Sequence, residues 1–178
     1  GEPMGALHGV PVAVKDNIDT AGVRTTGGSR AFAERVPTRD ATAWARMRAA
    51  GAILLGKTGL HEFAYGAPHP AFGAVQHPLA PGRAVGGSSS GSAAAVAAGH
   101  VAVALGTDTG GSVRQPAAFC GVLGLKPSPG VIPLDGVMPL AWTLDSVGIL
   151  AHSVADARVV LAVLRGSAGV SGGAWETG

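Results

Sequence analysis

Cysteine is nearly absent from the sequence, with Cys120 the single example. A lone thiol cannot build a disulfide framework, which excludes the small cross-linked secreted scaffolds and fits a reducing cytoplasm. Cys120 stands in the apolar run Ala117-Ala118-Phe119-Cys120-Gly121-Val122, where it reads as a buried small hydrophobe and not as a reactive thiol. Charge is scarce too: charged residues make up 13% of the chain, the net charge is +2, and no Lys/Arg cluster forms. A nucleic-acid-binding stripe is thereby excluded. No apolar tract reaches the roughly 20 residues of a membrane helix. The longest, residues 93–105, is broken by Gly99 and His100 and reads as a buried helix followed by a strand. Residues 1–7 lack the basic start and long apolar stretch of a secretory signal.

What the sequence does have is apolar material. At 47% of 178 residues it suffices for the core of one domain and argues against disorder. Short apolar runs alternate with helical patterns, which predicts an α/β fold: a mixed sheet of mostly buried strands with flanking helices. Strands are expected at Val10–Val14, Ala52–Leu55, Val101–Leu105 and Val122–Leu125. One helix is expected over Ala41–Ala50, with Asp40 as N-cap, Trp44 and Met47 on one face, and Gly51 as the stop. A second should follow Ser92 through Ala93–Ala98. A third should start at Ser153, with Asp156 at capping-box spacing, Val154, Ala157, Leu161 and Leu164 at helical intervals, and Gly166 at its end. The domain division expected is a core over residues 1–166 and a Gly/Ser-rich, frayed tail over residues 167–178. No internal repeat is present.

Three motifs compete for a functional reading. Gly51-Ala-Ile-Leu-Leu-Gly56-Lys57-Thr58 meets the phosphate-loop pattern letter for letter. In a phosphate loop, however, the strand precedes the first glycine and the next four residues wrap the phosphates. Here those four are apolar and strand-like, so helix, Gly, strand and turn in succession is the better reading. His61-Glu62 opens like a zinc-binding helix, but Tyr65 occupies the place of the second histidine, and His8, His69, His77, His100 and His152 are scattered. No metal and no cofactor is therefore expected. The third feature is a pair of glycine-serine turns, residues 86–92 and 107–112. Glycines there permit positive φ and let backbone N–H groups converge on one point, the way an anion hole is made.

Taken with Lys15, these turns resemble the amidase signature family across roughly residues 5 to 165. The matching stretches are Leu7-His-Gly-Val-Pro-Val-Ala-Val-Lys15-Asp-Asn, Gly56-Lys-Thr-Gly-Leu-His-Glu-Phe-Ala-Tyr-Gly66, Gly86-Gly-Ser-Ser-Ser-Gly-Ser92, Gly106-Thr-Asp-Thr-Gly-Gly-Ser-Val-Arg114 and Gly121-Val-Leu-Gly-Leu-Lys-Pro127. The resemblance implies an amide hydrolase with Ser112 as nucleophile, Lys15 as base and Ser88 as proton relay between them. It also implies a cis peptide between Gly87 and Ser88. A serine hydroxyl needs a base at neutral pH, and burial lowers a lysine pKa enough to supply one. The oxyanion hole is expected from the N–H groups of Thr109, Gly110, Gly111 and Ser112, with Ser89, Asp108 and Arg114 holding the two turns in place.

The substrate so implied is a small-molecule linear carboxamide. A second reading within the family is the amidase subunit of a glutamine-dependent tRNA amidotransferase, with a partner subunit. The stretch His61-Glu62-Phe63-Ala64-Tyr65-Gly66 looks more like the free-standing amidases. A third reading is an inactive remnant or binding module, since family members are usually more than twice this long and the chain reads as an incomplete piece of that fold. The sequence departs from the commoner pattern at Ser90 (often Gly), Val85 (often Pro) and Ile149 (usually Pro). The loop between Gly66 and Gly86 is shorter than usual and is expected to shape the substrate pocket.

Overall fold

The computed structural model describes residues 5–166. The tail expected at residues 167–178 lies outside them. Five strands, β1 (Pro11–Lys15), β2 (Ile53–Thr58), β3 (Val103–Asp108), β4 (Leu123–Leu125) and β5 (Ser146–Ala151), form one sheet in the order β2-β1-β3-β5-β4. β1 runs parallel to β2 and β3, and β5 is antiparallel to β3 and β4, so the sheet is mixed as expected.

Helices cover both faces. Helix α1 (Thr42–Ala49) and helix α4 (Val154–Arg165) lie on one. There Trp44, Met47, Ala157, Val160 and Leu164 pack against Val12, Val14, Val103, Leu105, Val147 and Ile149. Helix α2 (Ser90–Ala97) and helix α3 (Arg114–Cys120) lie on the other, where Ala93, Val96, Val113, Ala117 and Cys120 meet Ala13, Ala104 and Leu150. β3 is buried along its whole length, in keeping with the apolar residues Val103, Ala104 and Leu105 at its start. Among the described residues, no helix is long and apolar enough to cross a membrane.

Several local expectations hold. Ser153 caps α4, its Oγ accepting the Asp156 N–H, and Gly166 ends the helix in the left-handed conformation. Cys120 is buried, and burial pushes its thiol pKa up. Residues 53–58 of the phosphate-loop pattern are strand β2, and Lys57 Nζ turns to the Asp16 carboxylate (3.2 Å), the Ile18 carbonyl and Thr25 Oγ1.

Others are corrected. Asp40 does not cap α1: its Oδ1 accepts the Ala21 N–H and its Oδ2 pairs with Arg48, while the helix start is met by the Asp19 and Asp135 carbonyls. α2 begins at Ser90, inside the first glycine-serine turn. α3 and β5 were not foreseen. Val154 is exposed, because the packed face of α4 is set by Ala157, Val160 and Leu164.

Candidate active site

The site lies where β1 and β3 end side by side. Their pairing places Val14 opposite Leu105, so Lys15, the last residue of β1, and Thr107, near the end of β3, are neighbours although 92 residues separate them in sequence. Lys15 is fully buried. Its Nζ lies 2.8 Å from Ser88 Oγ, 2.8 Å from Thr107 Oγ1 and 3.3 Å from the Thr107 carbonyl oxygen. Asn17 Nδ2 donates to the same Thr107 Oγ1 at 3.0 Å. Burial lowers the Lys15 pKa to about 7, against the opposing pull of the Asp108 and Asp145 charges. Near neutral pH a large fraction of this amine is therefore uncharged. With its two N–H bonds on the Thr107 oxygens, its lone pair is left for the Ser88 hydroxyl.

The turn that carries Ser88 is held on every side. The Gly87–Ser88 peptide is cis, as expected. Ser89 Oγ donates to the Thr107 carbonyl at 3.1 Å and accepts the Thr107 N–H at 3.3 Å. Ser92 Oγ donates to the Leu105 carbonyl at 2.9 Å, so the Thr58 hydroxyl, 2.7 Å away, is the donor to Ser92. Gly91 lies against Gly59, where a Cβ would fall 2.6 Å from backbone atoms. His61 crosses Gly87: its N–H donates to the Ser88 carbonyl, and a Cβ on Gly87 would sit 2.2 Å from the imidazole.

The second turn is organised by Asp108, which is fully buried. Its carboxylate accepts from the N–H groups of Gly111 (2.8 Å), Val113 and Arg114, and from Arg114 Nε and the terminal guanidinium nitrogen. Burial alone would raise its pKa. The Arg114 side chain and the three backbone donors outweigh that and bring it to about 2. The Gly111 N–H is thus taken, a correction to the expected four-donor hole. Among the described residues, no turn or loop hydrogen bond takes the N–H of Thr109, Gly110 or Ser112.

Ser88 and Ser112 line one open cavity of about 380 Å³, with Gly110, Tyr65, Gln115 and Leu140 among its walls. Their hydroxyls are not hydrogen-bonded to each other. The turns are joined through the Ser89 N–H and the Ser112 carbonyl, 3.1 Å apart. The loop between Gly66 and Gly86 meets this cavity only at Gly66, so the pocket wall comes from residues 61–66 and Leu140 instead. Burial lowers the His61 pKa, a hydrogen bond with the Gly66 backbone opposes the shift, and any charge on Lys15 adds to it. Sequence reasoning passed over Thr107, Gln115 and Asp145. Gln115 Oε1 accepts the Gly87 N–H at 3.2 Å. Only the register of β1 against β3 reveals Thr107.

A family model described as Amidase matches residues 1–170. The glutamyl-tRNA(Gln) amidotransferase A subunit of Thermosynechococcus vestitus is 51% identical over 168 residues, covering 93% of this chain and 35% of that protein. The protein of the same name from Thermus thermophilus is 52% identical over 167 residues, 93% and 36%. Among solved structures, the glutamyl-tRNA(Gln) amidotransferase A subunit from Thermotoga maritima superposes with a TM-score of 0.87 at 44% identity, covering 92% of this chain and 36% of that one. The native peptide amidase from Stenotrophomonas maltophilia does so with a TM-score of 0.84 at 41% identity, 90% and 34%. The chain spans about a third of the length of these relatives.

Proposed function

The chain belongs to the amidase family, and on that premise we propose that it carries the catalytic residues of a carbon–nitrogen hydrolase acting on linear carboxamides. The observation that carries the reading is the fully buried Lys15 amine, 2.8 Å from Ser88 Oγ, on a cavity that Ser112 shares.

In this mechanism the neutral Lys15 amine takes the Ser88 proton as Ser88 takes that of Ser112, and Ser112 Oγ attacks the amide carbonyl carbon. The hydroxyl-to-hydroxyl link closes when substrate fills the cavity, since catalytic hydrogen bonds are often loose in the free enzyme. The tetrahedral anion is received by the N–H groups of Thr109, Gly110 and Ser112. Each such donor is worth about 100- to 1,000-fold in rate. Return of the proton through Ser88 to the nitrogen breaks the C–N bond and frees the amine. Water, deprotonated along the same path, then cleaves the Ser112 ester. Ser89, Asp108 and Arg114 hold the two turns. A cytoplasmic location goes with this reading.

Changing Ser112 to Ala in the protein that carries this chain should abolish amide hydrolysis and fluorophosphonate labelling together. Turnover undiminished by that change would end the proposal.

A second reading, the glutamine-hydrolysing component of a tRNA amidotransferase, is favoured by the name that both sequence relatives bear. It predicts release of ammonia from glutamine and co-purification with a partner subunit. Hydrolysis of simple carboxamides without a partner supports the first reading.

A further inference from the structure

Asp145 stands one residue before β5, across from the point where β3 gives way to the second turn. It is 7% exposed. Its Oδ1 accepts the Thr109 hydroxyl at 2.5 Å, and its Oδ2 accepts the N–H groups of Leu140 (2.8 Å) and Ala141 (3.0 Å). One carboxylate therefore joins two segments that touch the substrate cavity: the oxyanion turn, through its first residue, and the Leu140 wall.

The 140–145 loop is closed by the Asp145 bonds to Leu140 and Ala141 together with the Leu144 and Asp145 N–H groups on the Ala141 carbonyl, none of which involves Thr109. The Thr109 bond is additional, and it falls where the turn has least support of its own. Asp108 holds the far half of the turn at Gly111, Val113 and Arg114, whereas Gly110 is exposed and glycine adds no side chain to fix it. Without Asp145, the near half of the turn would hang from β3 alone.

We infer that Asp145, acting through the Thr109 side chain, is a positioning residue that fixes the oxyanion N–H groups against the Leu140 wall. Neither side chain touches the reacting atoms in this role. The inference rests on the hydrolase reading above.

The test uses the protein that carries this chain, with Thr109→Val, Thr109→Ser, Asp145→Asn and the Thr109→Val/Asp145→Asn pair. Thr109→Val keeps the backbone N–H and the side-chain volume and removes only the hydroxyl. It should lower kcat about 10- to 100-fold, less than the loss of a donor, with KM within about threefold. Thr109→Ser should recover most of that loss. The double variant should have a kcat no lower than about that of Asp145→Asn, because the two side chains act through one bond.

A Thr109→Val enzyme with wild-type kcat, or losses that multiply in the double variant, overturns the inference. If Asp145→Asn does not fold, the Thr109→Val and Thr109→Ser pair decides alone. Wild-type protein that neither cleaves a carboxamide nor labels with a fluorophosphonate overturns the hydrolase reading and this inference together. An active wild type matched by Thr109→Val overturns this one only.

Discussion

The two glycine-serine turns are alike in composition and opposite in what they leave unpaired. In the first, residues 86–92, all four serines are buried, and the hydroxyls of Ser89 and Ser92 are tied to β3 carbonyls. In the second, residues 107–112, Gly110 is exposed, Ser112 half-buried, and three N–H groups point at no loop partner among the described residues. The first turn is a brace that sets one hydroxyl, that of buried Ser88, at the cavity wall. The second is a donor array held from behind by carboxylates. Small residues allow both outcomes; the partners supplied by β3, Asp108 and Asp145 decide between them.

The contrast is open to attack at four places, in falling order of effect. Lys15→Met fills the same buried space without a base. It should cut kcat by on the order of a thousandfold or more while far-UV circular dichroism is unchanged. Retained activity would mean that Ser88 needs no amine. Next, Asp108→Ala should orphan the donors of the second turn and destabilise the protein by roughly 2–4 kcal/mol in urea unfolding. If the two turns were braced alike, the loss would be no larger than for a single hydroxyl.

Third, kcat/KM should fall about tenfold per pH unit below about 7, since protonated Lys15 cannot accept the Ser88 proton. The same shift has a stability consequence of fixed sign. Between about 7 and 10.5 the unfolded lysine binds more protons than the folded one, so this group makes stability rise with pH across that window. A flat rate profile from pH 5.5 to 8 would contradict the assignment. Last, Ser92→Ala removes a hydroxyl of the brace and should cost about 1 kcal/mol with kcat nearly unchanged, read by thermal unfolding alongside turnover.

Much of the fold was legible where its causes are local. Ser153, Asp156 and Gly166 mark α4 because capping and left-handed closure act within a turn of the helix. The resemblance of motifs led to Lys15, Ser88 and Ser112, whose side chains the structure gathers at one cavity and its buried back wall. What stayed hidden depends on distant chain. Asp40 has the right chemistry for an N-cap, but Ala21 and Arg48 claim its oxygens. α3 lacks a side-chain cap of its own, and the carboxylate of Asp108 takes the N–H groups of Val113 and Arg114 from the end of β3. Its Gly121, left-handed at the C-terminus, was the usable signal. Gly111 looked like a free donor for the same reason: nothing local says that Asp108 turns back onto it.

Because β1 and β3 are sheet neighbours that lie far apart in sequence, Lys15 acquires Ser88 across 73 residues and Thr107 across 92. No fragment of the chain lacking either strand can make the site, and closing loops of that length is the slow part of folding. Under the proposed mechanism, serine reactivity would be a readout of completed long-range pairing, and during refolding it should emerge after helical signal has already returned.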